Sequence, residues 1–362
     1  MRFLKKFSKP KKNKNISKHA RLKKIVKLVI LIGGSAFLLW LAGMFLFGFI
    51  YQRQHRNDEV IIGTSFTKET ANDLGVDWRA NFTALLEDMG IRNYRLMSYW
   101  KEIEAERGTY NFEDLDWQFA EAEKYNAKIS LSVGLRQPRW PECHQADWAW
   151  DLYDRDYPAW EKELYSFISA VVDRYKTSPA LESWHLENEY FNRNFGNCEN
   201  YSKKRLQDEV DLIKKHDPDH PVVITLADQL GFPLFGTKSD IFATSLYRGN
   251  HVKVVGYVPY PIPTHFYSAK SFFIDLLRDR DVYIHELQLE PWGAKPTREL
   301  TVAEQDKLMG YDQLVGNIRF GLETGMKKMY LWGSEWWYWR KVKFDDPSVW
   351  NTVKDTINRY SK

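Results

Sequence analysis

The chain has 362 residues, enough for one large domain or two ordinary ones, with an ordinary 44% hydrophobic content and only two cysteines. Its net charge of +4 hides an uneven layout: residues 1–27 hold 12 Lys and Arg and no acid, leaving −8 on the remainder. No Gly-x-Ser-x-Gly elbow, P-loop or Cys-x-x-Cys is present, and the histidines at 144, 185, 265 and 285 are scattered. Serine-hydrolase, NTPase and metal-centre readings therefore have no support, and no cofactor is expected.

Residues 28–51 form a run of 24 without one charge. At about 1.5 Å per residue a helix of that length crosses a bilayer core of roughly 30 Å. The run is longer than the apolar region of a cleaved signal peptide, and Met44 stands where a lipoprotein would carry Cys. Basic residues before such a run mark a cytoplasmic tail rather than a nucleic-acid contact, and Tyr51 sits where an interfacial aromatic belongs. The expected layout is a cytoplasmic tail over 1–27 and a single-pass signal anchor over 28–51. A polar spacer over 52–58 and one extracytoplasmic domain over 59–362 complete it, since no linker or repeat divides the rest.

From residue 60 the chain alternates short apolar runs with helical patterns. Strands are predicted at 60–65, 93–97, 128–133, 181–186, 222–226, 241–246, 282–287 and 328–332. Helices are predicted at 77–89, 115–125, 159–175, 203–216, 269–277, 302–323 and 345–360. Only the crossover between 226 and 241 is cramped. Strand followed by helix, eight times, predicts an α/β fold, a parallel (β/α)8 TIM barrel behind one transmembrane helix. A doubly wound sheet is the rival, but no Gly-rich phosphate loop follows Gly63-Thr64-Ser65.

Barrel enzymes carry their sites at the C-terminal ends of the strands. Those ends collect Arg95, Trp140, Glu142, Asn188, Glu189, Tyr247, Glu286, Gln288, Glu290, Trp292, Trp332, Glu335 and Trp336. Acids, amides and an arginine among tryptophans suit a polyhydroxylated ligand, a carbohydrate. An Asn-Glu pair closing a short buried strand puts a carboxyl on rigid backbone with an amide beside it for a sugar hydroxyl. A second carboxylate strand end lies about 100 residues on, at Tyr283-Ile284-His285-Glu286.

These motifs resemble clan A of the glycoside hydrolases, the retaining barrel enzymes that include cellulases, xylanases and β-galactosidases. The resemblance covers most of residues 60–362 and singles out no one family. It implies Glu189 of Asn188-Glu189 as acid/base and Glu286 as nucleophile. Glu286 is followed by Gln288 as in the clan's β-galactosidases, with Arg95 and the platform Trp332 as further clan features. Two carboxyls about 5 Å apart cleave a glycosidic bond through a covalent glycosyl-enzyme. Asn188 is then expected on the 2-hydroxyl and Tyr247 near the nucleophile. Trp140, Gln288, Trp292, Glu335 and Trp336 are expected to touch the sugar. Glu290 remains the alternative nucleophile, and Glu187, of opposite strand parity, the lesser candidate acid. The functional expectation is a membrane-anchored retaining glycosidase or transglycosidase acting on an extracellular saccharide. The alternative is an inactive sugar-binding barrel serving as a sensor or scaffold.

Cys143 and Cys198 lie ten and twelve residues past neighbouring strands three and four, on loops leaving the same face. A disulfide between them is expected, in keeping with an oxidising compartment.

Overall fold

A computed structural model describes residues 14–198, 201–225, 228–232 and 238–360, with side chains from residue 21. Ten strands are found among them: β1 (Ile61–Ser65), β2 (Asn93–Met97), β3 (Lys128–Val133), β4 (Leu181–Leu186), β5 (Val222–Ile224), β6 (Ile241–Leu246), β7 (Gly249–Val252), β8 (Gly256–Pro259), β9 (Val282–Gln288) and β10 (Lys328–Trp332). Eight of them close into a parallel barrel in the order β1-β10-β9-β6-β5-β4-β3-β2, while β7 and β8 form a separate antiparallel hairpin. The TIM-barrel expectation holds. Leu226, the last residue of the expected fifth strand, lies outside the described residues.

Strand alternation sorts the side chains into two environments. Ile129, Leu131 and Val133 of β3, and Trp184 and Leu186 of β4, face outward and join the main apolar core beneath the helices. The barrel interior is filled differently. Near the strand starts Tyr283 and Tyr330 pack with Val223 and Ala243. Nearer the strand ends the interior turns polar, with Arg95, His185, Ser245 and His285 fully or almost fully buried. A polar interior is costly unless paired, so the sequence commits it to a task at that end.

The helices start where the sequence supplies caps. Asp77 accepts from Arg79 and Ala80 N–H, Ser202 from Arg205 N–H, and Thr301 with Glu304 makes a capping box. The helix expected over 302–323 is two, Val302–Met309 and Tyr311–Glu323. Gly310 between them is extended (φ −84°, ψ −171°), and a Cβ there would stand 2.5 Å from the Asp306 carbonyl oxygen. Helices Asp147–Arg155 and Ser334–Lys343 and the β7–β8 hairpin are additional to those predicted.

The N-terminal helix, Lys14–Gln54, is continuous through the uncharged run, and its 34 residues from Arg21 to Gln54 are long and apolar enough to span a membrane. It does not stop at Tyr51. Its last turns lie on helix Thr264–Arg278, where the Gln52 amide donates to Ser268 Oγ at 2.9 Å.

Candidate active site

Glu187 and Glu189, either side of Asn188, leave β4 in a conformation few side chains adopt, with φ of +53° and +41°. Arg139 (+77°) and Glu142 (+72°) in the loop after β3 share it. Left-handed backbone outside glycine costs about 1 kcal/mol or more per residue and persists where surrounding contacts enforce it. Here the enforcing contacts are visible. Glu187 turns away from the cleft to accept from Leu135 and Arg136 N–H at 2.8 and 2.9 Å, and it pairs with Arg205 at 3.2 Å. It is a structural anchor, and Glu189 is the carboxyl delivered to the opening. Asn192 Nδ2 donates to Glu189 Oε2 at 2.7 Å, and the Ser245 hydroxyl bonds its Oε1.

Glu286 arrives by a different device. Thr244 of β6 pairs with Ile284 of β9, yet Ser245 pairs with Glu286, so β9 carries an extra residue at this point. The slip lets both His285 and Glu286 turn inward while Ile284 and Leu287 still face the outer core. Bulges of this kind re-aim side chains beside active sites. Arg95 Nη1 donates to Glu286 Oε1 at 2.7 Å, and the Tyr247 hydroxyl donates to Oε2. The other Arg95 nitrogen, Nη2, donates to Asn188 Oδ1 at 2.8 Å, tying the two strand ends together.

One carboxylate oxygen each of Glu189 and Glu286 and a His285 nitrogen lie within 4.8 Å of one another. Such spacing would admit a cation, but the fixed guanidinium of Arg95 already meets Glu286 and opposes one. Burial pushes the Glu189 carboxyl up to about 7, helped by the charge of Glu286 and opposed by its Ser245 and Asn192 bonds. Burial also drives His185 and His285 well below the usual imidazole range, with Arg95 reinforcing it. A Ser245 hydroxyl that donates to Glu189 accepts from a His285 Nε2–H 3.0 Å away. A third acid, Glu142, accepts from Asn188 Nδ2 at 2.9 Å, and burial holds its carboxyl well above the usual range against Arg136.

The other expected residues divide. Trp140 projects into solvent at the rim (67% exposed), and Trp292 is half-buried beside Tyr247 with ring centroids 4.7 Å apart. Glu290 accepts from Arg139 at 2.7 Å, Trp332 Nε1 at 2.8 Å and Trp292 Nε1 at 3.0 Å. With three donors on it, Glu290 is a clamp. The Arg139 guanidinium lies 4.1 Å from the Trp332 ring centroid, so it covers a face expected to receive sugar. Glu335 is buried against Thr67, accepting from its N–H at 2.6 Å and its hydroxyl at 2.8 Å, with Arg139 at 3.4 Å. Gln288 is fully buried and fixes the start of the β7–β8 hairpin by accepting from Arg248 and Gly249 N–H. Trp336 corrects the expectation outright. It packs in the core with its Nε1 on Gln305 at 2.8 Å, because helix Ser334–Lys343 turns that residue toward helix Val302–Met309 and away from the cleft.

Cys143 and Cys198 are bonded, with a Cα separation of 5.5 Å. Asn197 N–H donates to the Pro141 carbonyl at 2.9 Å alongside, so the bridge joins the loop of Arg139 and Glu142 to the one following Glu189. Closing 55 residues of chain stabilises by about 4 kcal/mol in the chain-entropy model. A Cys143→Ser/Cys198→Ser variant should therefore melt roughly 10 °C lower by calorimetry. An unchanged Tm would remove the bridge from the site's support.

Asn192, Ser245 and Arg139 were not among the expected site residues. Ser245 had a readable signal, since it shares parity with Tyr247 two residues on. Asn192 and Arg139 sit on loops whose course no periodicity encodes.

Comparison with known proteins finds glycoside hydrolases. The glycoside hydrolase 42 family model, described as beta-galactosidase, matches residues 77–214. The beta-galactosidase BgaH of Haloferax lucentense is 26% identical over 130 residues, covering 31% of this chain and 19% of that protein. Among solved structures, a beta-galactosidase from the Antarctic haloarchaeon Halorubrum lacusprofundi superposes with a TM-score of 0.50 at 15% identity. That match covers 75% of this chain and 52% of the other. A glycoside hydrolase family 5 mannosidase from Rhizomucor miehei gives 0.50 at 15%, over 76% and 82%. The chain thus spans about a fifth of the curated relative and about half of the haloarchaeal structure.

Proposed function

We propose that this chain, a barrel of the clan A glycoside hydrolase type with no single family matched along its length, is a retaining glycosidase held at a membrane. The observation that carries the reading is the pair Glu189 and Glu286, buried, with one carboxylate oxygen of each within 4.8 Å of the other and with different partners. Inverting enzymes hold their carboxyls about 6.5–9.5 Å apart to admit a water, and retaining ones about 5–5.5 Å apart. Glu189, raised to about 7, is the proton donor to the leaving oxygen. Glu286, oriented by Arg95 and Tyr247, attacks the anomeric carbon to form a glycosyl ester. Glu189, now a carboxylate, takes a proton from the water that hydrolyses it. Asn188 Nδ2 keeps one hydrogen beyond its bond to Glu142, free for the 2-hydroxyl. The half-buried Trp292 and the rim Trp140 offer ring faces for sugar.

The long apolar helix behind a basic tail supports a single-pass anchor with the barrel outside the cytoplasm, facing an extracellular oligo- or polysaccharide. The test is stereochemical. The purified chain is screened against aryl glycosides, aryl β-galactosides included, and the first-formed anomer is followed by proton NMR. Retained configuration is expected. Inversion would refute the double displacement, and saccharide binding without turnover across the panel would favour the inactive sugar-binding barrel.

A further inference from the structure

We propose that the barrel is seated in the outer leaflet of the membrane through helix Thr264–Arg278, so that the strand starts face the bilayer and the carboxylate cleft opens away from it. The proposal rests on the anchor reading above and adds the orientation and depth of the domain.

The apolar helix changes character along its length. From Leu28 to Trp40 every residue is exposed on all sides, whereas Met44, Gly48 and Tyr51 are buried against the domain. Those thirteen uncharged exposed residues span about 20 Å, short of a core of roughly 30 Å. The missing length is about seven residues, which carries the span to the neighbourhood of Phe47. Over that stretch the helix is not alone. Phe47 packs its ring 5.0 Å from Phe272 and 4.9 Å from Phe273, and Trp40, Gly43 and Met44 line an apolar recess with Phe273 and Leu277. At Gly48 the two helices approach so closely that a Cβ would stand 2.3 Å from the His265 carbonyl oxygen, as small residues permit between spanning helices.

The barrel helix is therefore at membrane depth where it meets residues 40–47, and its surface suits that place. Leu276 and Leu277 are 65% and 59% exposed at its C-terminal end. Asp275 and Arg278, the charges beside them on the helix, fall about 160° and 140° round it from Phe273, and the exposed Asp279, Arg280 and Asp281 follow its end. That end leads through residues 279–281 into Val282, the first residue of β9, and so lies at the rim of the strand starts. Glu189 and Glu286 lie at the opposite rim. A cleft so placed takes a soluble or polymeric glycan from the bulk side and is turned away from the headgroup of a glycolipid in its own membrane.

Both native cysteines are paired, so an added cysteine is the reactive thiol for labelling. The full chain, carrying bimane at Leu39→Cys, Leu277→Cys or Lys295→Cys, is reconstituted into phosphatidylcholine–phosphatidylglycerol vesicles with brominated acyl chains. Lys295 is exposed in the loop beyond β9, on the cleft side. Positions 39 and 277 should lose at least half their fluorescence to bromine and position 295 none. Quenching at 39 but not at 277 would overturn the seat and leave the anchor standing. Quenching at 295 would overturn the orientation. No quenching at 39 would overturn the anchor and the seat together.

Discussion

Glu286→Gln should lower kcat by roughly 10⁴-fold or more on every substrate the enzyme turns over, with the fold intact. The amide keeps the volume and the oxygen that Tyr247 meets, but it cannot form the ester. Glu290→Gln is the discriminating partner. Glu290 accepts from Arg139, Trp332 and Trp292 through Oε1, which the amide retains, and from Arg139 Nη2 through Oε2, so the amide removes the charge opposite Arg139 and turns an N–H2 donor toward that guanidinium in a closed corner. That variant should melt lower and raise KM while keeping kcat within roughly 100-fold, because a positioning group acts through others. Steady-state kinetics with thermal melts separates the two. A kcat collapse at Glu290 with Glu286→Gln still active would exchange their roles.

Glu189→Ala should cost roughly 10²–10⁴-fold on unactivated glycosides and far less on dinitrophenyl glycosides, whose leaving group needs no proton. Azide should restore turnover of the activated substrate and give a glycosyl azide, since the vacated space admits an anion near the anomeric carbon. The pH profile follows from the same carboxyl. A general acid works protonated, and Glu189 is raised to about 7, so activity on unactivated substrates should fall as pH rises through about 7. That alkaline limb should vanish in Glu189→Ala. If it persists, another group titrates there.

How much of this could be read in the sequence depends on how local the determinant is. The strands 93–97, 128–133, 181–186, 241–246 and 328–332 fall where the apolar runs put them, because a strand buried beneath helices needs a short dense apolar segment. The carboxylates were legible because they end such runs. Their aim was not. Glu286 enters the cleft through a bulge in β9 that strict alternation does not contain, and Glu189 through left-handed backbone imposed by contacts with the β3 loop. Trp336 shows the reverse failure. A tryptophan reads the same whether it meets sugar, a guanidinium or the core, and only the register of the following helix decides. The end of the apolar helix is ambiguous in the same way, since lipid and the Phe272–Phe273 surface demand the same residues.

The most direct measurement is covalent. A 2-deoxy-2-fluoro glycoside with a good leaving group slows both steps and breakdown of the ester most, so the glycosyl-enzyme accumulates and can be mapped by peptide mass spectrometry. The predicted result is one sugar per chain on the peptide containing Glu286, lost when Glu286 is Gln. An adduct on Glu290 or Glu189, or turnover of a defined substrate with no trappable adduct and an inverted product, would contradict it.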